Sequence, residues 1–224
     1  QVNAKGGLEV GGKKYKVVVV PYDDKYQTNE AVTIANRLVF EDKIQYVIGP
    51  VGSASVLAIQ PITEKAKVIV MTLGFTPKAL GPDKPFTFRP PVTTAEVSDP
   101  QIGWIVKTLG IKKVGALFPN DATGQAISKD LEVAYKKAGS ELAAKEFFER
   151  DRVDFVPLLT RMMAKRIDAI ELDGNSPTTS GLILKQAREM GFKGKIVRTG
   201  GPATQEIVNV AGKAAAEGVY VHTP

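Results

Sequence analysis

The stretch IGPVGSASVLAIQPI (residues 48–62) decides the fold. The apolar run Tyr46-Val47-Ile48 stops at Gly49-Pro50, a bare glycine (Gly52) and two serines (Ser53, Ser55) follow, and from there the pattern is helical. The same unit brackets this one. Residues 14–21 (KYKVVVVP) are a β-branched run with a proline stop. Residues 28–40 place Ala31, Ile34, Ala35, Leu38 and Val39 on one helical face. Residues 45–48 are a short strand, 53–66 a helix with Pro61 as a kink or early end, and 68–71 a strand again. Repeated strand-turn-helix units are the signature of a parallel sheet covered by helices.

Residues 77–100 interrupt the rhythm with six prolines around the extended, aromatic Phe86-Thr87-Phe88-Arg89, and read as a crossing between two lobes. The alternation then restarts. Helices are expected at 102–109, 124–138, 155–164, 177–190 and 205–211, and strands at 113–118, 141–147, 168–172, 195–198 and 218–222. Gly110, Gly139 and Gly191 fall where helices stop, and Ser176-Pro177 is an N-cap followed by proline at the first helical position.

Bulk properties exclude several classes. The 224 residues are 43% hydrophobic and 24% charged, an ordinary globular balance, and no apolar run reaches the length of a membrane helix. No signal-peptide pattern opens the chain, which reads as mature or trimmed. The net charge of +6 is spread over scattered lysines among acids at helical spacing, without a basic block, which argues against nucleic acid. With no cysteine and one histidine there is neither thiol chemistry nor a metal-ligand set. That histidine, His222, stands two residues from the end, no G-x-S-x-G, H-E-x-x-H or P-loop occurs, and Thr199-Gly200-Gly201 is too short for a dinucleotide fingerprint. Asp23-Asp24 and Glu149/Asp151 read as solvated loop charges. An enzyme is therefore not expected.

In open parallel sheets ligands sit beyond the carboxyl ends of the strands. The residues there are 49–53, 72–76, 119–123, 173–176 and 199–204, mostly small, hydroxylic or amide-bearing, and several open helices whose free N–H groups favour an anion. Gly52 lets a ligand approach the backbone, and Ser53 with the first helical amides, Ala54 among them, can serve a carboxylate. Plain N-capping is the competing reading. Thr72-Leu73-Gly74-Phe75-Thr76 repeats the device on the next strand.

The segment GPVGSASVLAIQPITEKAKVIVMTLGFTPKAL (49–80) resembles the ligand loop of the leucine/isoleucine/valine-binding family, the type I periplasmic substrate-binding proteins that feed ATP-driven importers. FRPPVT (88–93), LGIKKVGALFPNDATG (109–124), LKQAREMGFKGKIVRTGG (184–201) and AAAEGVYVHTP (214–224) continue the likeness in order. The resemblance implies an α/β fold of two Rossmann-like lobes with parallel sheets flanked by helices, closing on a ligand by hinge motion. It divides the chain into an N-terminal lobe (1–90), a C-terminal lobe (91–218) and the start of a return crossover (219–224). It implies periplasmic or extracellular location, ABC permease subunits as partners and no cofactor. Position by position, Ser53 and Thr76 resemble the hydroxyls on the ligand carboxylate, Gly74 the backbone at its polar head, and Val51 the side-chain pocket.

Three departures bear on the ligand. Thr123 stands where amino-acid binders of this family often have a tyrosine, Asn175 or Ser176 where a second aromatic often sits, and Gly200 near the place of the acid that meets an α-ammonium. The carboxylate end of the clamp is kept and its ammonium partner is missing, with Asp173 as a candidate substitute or a loop cap. The expected ligand is an aromatic or aliphatic acid without an amine, ahead of a branched-chain amino acid. Phe75 is a candidate stacking face, with core packing as the commoner role. Residues 1–12 resemble the end of the family's first helix, so its first strand and C-terminal part are expected to be missing, exposed edges to remain, and self-association to be one way of covering them. A ligand-sensing regulatory domain of the same fold is the second reading.

Overall fold

The computed structural model describes residues 1–90, 94–201 and 203–222. The expected lobe boundary at residue 91, the end of FRPPVT and residues 223–224 lie outside the described residues. Two parallel sheets form, one in each half of the chain. No described helix is long and apolar enough to cross a membrane.

The second half is a three-layer unit. Its strands are β6 (Lys113–Pro119), β7 (Glu141–Phe148), β8 (Ala169–Glu171), β9 (Lys195–Arg198) and β10 (Val219–Val221), all parallel in the order β10-β9-β8-β6-β7. Residues alternate across a strand. Val114, Ala116 and Phe118 therefore pack with Ile102, Ile127, Leu131 and Tyr135 from α3 (Thr94–Leu109) and α4 (Ala122–Lys137). Leu117 faces the opposite layer, with Leu159, Met162, Ile183 and Ile207 from α5 (Val156–Met163), α6 (Pro177–Glu189) and α7 (Thr204–Ala211). A Cβ on Gly115 would lie 2.7 Å from Ile167 Cδ1 and 2.8 Å from Met162 Cε, so glycine lets that layer approach the central strand. The chain moves from β6 to β7 on one side and then to β8 on the other. The helices that follow β6 and β8, α4 and α6, thus cover opposite faces and leave a crevice between their N-termini, the switch point where such sheets bind ligands.

The first half is smaller. Strands β3 (Tyr46–Ile48), β4 (Ile69–Met71) and β5 (Thr87–Phe88) form a parallel sheet, and α1 (Thr28–Asn36) packs on α2 (Ser53–Lys65) through Ala31, Ala35 and Ile59. Phe86–Arg89 thus belongs in part to this sheet and is more than a crossing. Proline at 61 does not end α2 early, because Pro61 lies on the exposed side, where water can serve the carbonyl it leaves unpaired.

The chain start is a helix end for its first residues only: the turn through Asn3–Lys5 closes at Gly6, φ +93°, whose N–H reaches the Asn3 carbonyl while that of Gly7 reaches Val2. After this 3₁₀ turn, β1 (Leu8–Val10) and β2 (Lys13–Tyr15) pair antiparallel around Gly11-Gly12, whose φ of +56° and +75° suit the two-residue turn that right-twisted strands require. Only the start of the 14–21 run is therefore a strand. Residues 17–20 join no ladder. The Asn3 carboxamide takes a partner strand's place at Val17, donating to its carbonyl (2.7 Å) and accepting from its N–H (2.8 Å). Val18 is 80% exposed and Ile48, on edge strand β3, is 83% exposed.

Exposed apolar strand edges template association. The isolated 224-residue chain is expected to sediment as concentration-dependent oligomers, and Ile48→Lys to shift the distribution toward monomer. An unchanged distribution would place the contact elsewhere.

Candidate functional site

Ser53 opens α2 fully buried. Its Oγ accepts the backbone N–H of Phe75 (3.1 Å) and of Thr76 (3.0 Å), tying the loop after β4 to the helix that follows β3. Both lone pairs are thereby engaged, and no described residue accepts its proton, so toward a ligand Ser53 is a donor. Thr123, at the start of α4, accepts the Ala54 N–H at 3.4 Å across the lobes. Its hydroxyl proton is likewise without a described acceptor. Two donor hydroxyls and the first-turn amides of α2, of which only that of Ala54 is held across the lobes by Thr123, converge at the lobe seam, a set that suits an anion.

The other expected residues of this lobe divide. Thr76 is buried and its Oγ1 accepts from Lys78 N–H, capping the following turn. Phe75 packs onto the apolar cluster of the second lobe, so it bridges the lobes and does not stand free for stacking. A Cβ on Gly74 would meet Val56 Cγ2 at 2.7 Å, which makes glycine there a condition for the loop to lie on α2. Val51 is 47% exposed.

In the second lobe, Asp173 and Gly200 meet. A Cβ built on Gly200 would lie 1.6 Å from Asp173 Oδ1, so the Asp173 carboxylate fills the volume a side chain at 200 would take. Asp173 Oδ1 accepts from the Gly174 N–H at 2.7 Å. Asn175 donates to the Leu117 (2.9 Å) and Leu172 (3.1 Å) carbonyls, and its Oδ1 is buried without a hydrogen bond.

Several residues of the site escaped the sequence reading. Glu171, fully buried at the end of β8, accepts N–H bonds at Oε1 from Leu172, Asp173 and Thr199 and takes the Tyr135 hydroxyl at Oε2 (2.8 Å). It fastens the loops after β8 and β9 together and so sets Asp173 against Gly200. Arg198 donates to the Leu172, Asn175 and Gly201 carbonyls and to Ser180 Oγ (2.7 Å). Tyr26 packs beside Gly52, and Arg150 lies over its ring at 5.5 Å. Burial raises the Tyr26 hydroxyl pKa; Arg198 and Arg150 lower it, and Asp24 and Asp173 raise it. Those charges from both lobes surround one ring. Tyr26 and Arg150 follow the 14–21 run and β7, so the strand-end rule applied to those two runs reaches them.

A polar cavity of about 370 Å³ opens at this seam around Gln27, Thr28, Asn120, Asp121, Glu149 and Arg150. A larger one, about 620 Å³, lies aside between α3 and β9–β10, lined by Trp104, Ile105, Arg198 and Tyr220. Neither cavity is lined by Ser53 or Asp173; only the smaller one is lined from both halves of the chain, which makes the seam the better candidate.

Burial first, and then the Asp173 charge, push Glu171 up from 4.5 to about 7, against the hydrogen bonds that favour its anion. The folded state therefore holds a proton that the unfolded chain has released, and stability falls as pH rises from about 5 to about 7, by at most about 1.4 kcal/mol per pH unit. Asp130, raised by burial and by Asp173, adds in the same direction. Urea unfolding midpoints across this range should slope downward in the native chain, and less so in Glu171→Gln, which keeps an acceptor for the three N–H groups. Equal slopes would remove Glu171 as the titrating group.

The chain is similar to known proteins along its whole length. The periplasmic binding protein family matches residues 1–224. The Leu/Ile/Val-binding protein of Citrobacter freundii is 29% identical, aligned over all of this chain and 59% of its own length. The amino acid binding protein of Pseudomonas aeruginosa is also 29% identical, over 94% of this chain and 55% of its own. Among solved structures, the branched-chain amino acid transporter substrate-binding protein LivJ of Streptococcus pneumoniae, in complex with isoleucine, superposes with a TM-score of 0.79 at 28% identity, covering 98% of this chain and 61% of that one. The chain thus spans less than two thirds of the length of these relatives. Family model and fold agree: the chain belongs to the periplasmic binding protein family.

Proposed function

We propose that this chain is the ligand-capturing part of an extracytoplasmic solute-binding protein that delivers a small α-amino acid to the permease subunits of an ABC importer. The ligand carboxylate takes the donors at the seam: the Ser53 and Thr123 hydroxyls and the first amides of α2. The Asp173 carboxylate takes the ammonium. The observation that carries the ammonium assignment is the overlap of Asp173 Oδ1 with the Cβ position of Gly200, which gives the second lobe an acid at the place expected to lack one. The Leu/Ile/Val-binding relatives and the isoleucine complex support the same class. Charge matching then does the selecting, since an ammonium and a carboxylate attract strongly in a partly desolvated cleft.

Amine-free acids are the competing ligands, favoured by glycine at 200 and threonine at 123. A thermal-shift panel separates them: L-leucine, L-isoleucine and L-valine against 4-methylpentanoate and benzoate. A ligand at about a hundred times its dissociation constant adds about 2.7 kcal/mol, or about 5–10 °C in a domain of this size. The amino acids should shift the melting temperature and 4-methylpentanoate should not. Asp173→Asn should weaken L-leucine binding by about ten- to a hundredfold, as loss of a charged hydrogen bond does. Shifts with the amine-free acids alone would overturn the ammonium assignment, and silence across the panel would overturn the amino acid reading.

A further inference from the structure

Two residues outside the carboxylate and ammonium contacts join the lobes. Tyr26 lies in the loop before α1, where Lys25 and Tyr26 have φ of +50° and +57°, a region that side chains other than glycine enter at a cost. Asp23 Oδ1 accepts the Lys25 N–H (2.8 Å) and Asp24 Oδ1 the Tyr26 N–H (3.1 Å), which holds the strained turn. The turn delivers the Tyr26 ring to the start of α2, where its Cδ1 lies 3.8 Å from the Cβ position of Gly52. That is ordinary van der Waals distance, so the ring lies directly against the start of the helix.

Arg150 comes from the other lobe, just after β7. Its Nε donates to Asp121 Oδ2 at 2.6 Å, with the two side chains only 15% and 20% exposed. The second Asp121 oxygen, Oδ1, accepts from Thr123 N–H (2.8 Å) and Gly124 N–H (3.1 Å), capping α4. The guanidinium, fixed at one end, lies over the Tyr26 ring. A partly desolvated arginine on an aromatic face is attracted by the ring itself and does not need the hydroxyl.

The contacts close a circuit. On one lobe Gly52 and Ala54 belong to the start of α2. On the other, Asp121 both braces Arg150 and caps the helix carrying Thr123. The Ala54–Thr123 bond and the Tyr26–Arg150 contact therefore form and break together as the lobes move. We propose that Tyr26 and Arg150 are positioning residues that latch the lobes shut and so set how long a captured ligand stays. The proposal rests on the reading of the chain as a hinged binding protein.

The chain has no cysteine, so two can be introduced cleanly for spin labels. Lys65→Cys on α2 and Lys129→Cys on α4 replace exposed lysines of the two lobes. Interlobe distances are then measured without ligand in the native background, Tyr26→Phe, Tyr26→Ala, Arg150→Gln and the double variant Tyr26→Ala/Arg150→Gln. Arg150→Gln keeps the stem and Tyr26→Phe keeps the ring, so neither should disturb folding. Tyr26→Phe should leave the distances unchanged. Tyr26→Ala and Arg150→Gln should each lengthen and broaden them, and the double variant should be no more open than either single.

L-leucine release by stopped flow should be about three- to tenfold faster in Tyr26→Ala and Arg150→Gln, with the association rate unchanged, a split that a general loss of folding would not give. Unchanged distances in both single variants, or additive effects in the double, would overturn the latch. Distances that respond while L-leucine fails to bind would keep the latch and reject the amino acid reading instead.

Discussion

Buried acceptors that gather backbone N–H groups at the ends of parallel strands hold this site in place. Where a strand stops, its ladder stops too, and the N–H groups of the next residues need partners or water. In the first lobe Ser53 Oγ takes two such groups, from Phe75 and Thr76. In the second, Glu171 takes three, from Leu172, Asp173 and Thr199. In each lobe one side chain sews neighbouring strand-end loops together, so that residues far apart in sequence present one surface. The solution also has a chemical consequence. An oxygen whose lone pairs are spent on the scaffold faces a ligand, if it is a hydroxyl, only as a donor.

The topology explains why these loops meet at a crevice. Because the chain leaves β6 in one direction and returns past it to β8, α4 and α6 cover opposite faces and leave a gap between their N-termini. Thr123 stands on one rim and the Asp173–Asn175 loop on the other. Apolar Phe75, rooted in the first lobe, packs into the second. The seam thus combines an apolar contact that brings the lobes together with polar groups left for a guest.

Much of the second lobe was legible because its strands are buried on both faces and its helices carry stop and start signals such as Ser176-Pro177 and Gly139. The 195–198 strand came out residue for residue, and the helices within a few positions, apart from the early start of α3. The chain start was less legible. Residues 14–21 have strand composition, but composition does not say whether a partner strand is present, and the Gly11-Gly12 hairpin competes for the first of them. Pro61 does not end α2, because on the wet side water can serve the carbonyl that proline leaves unpaired. In the candidate site, small residues after strands advertised the seam. Glu171 and Arg198 were hidden because a charged residue inside a strand carries no sign of whether its partners are water or backbone.

Asp173 and Gly200 illustrate a limit of reading sites position by position. The family resemblance places an acid near residue 200, and its loss there suggests that the ammonium site is gone. The space, however, belongs to two loops, those after β8 and β9, held together by Glu171. An acid delivered from either loop reaches the same volume, provided the other loop contributes no side chain. A Cβ at 200 and a carboxylate from 173 cannot coexist at 1.6 Å. The glycine is therefore the condition for the aspartate, and the two positions have to be read as one. The Asp173 charge is felt around it: it helps push Glu171 up to about 7 and raises Asp130. A cation arriving beside Asp173 relieves that repulsion, and a neutral or anionic group does not.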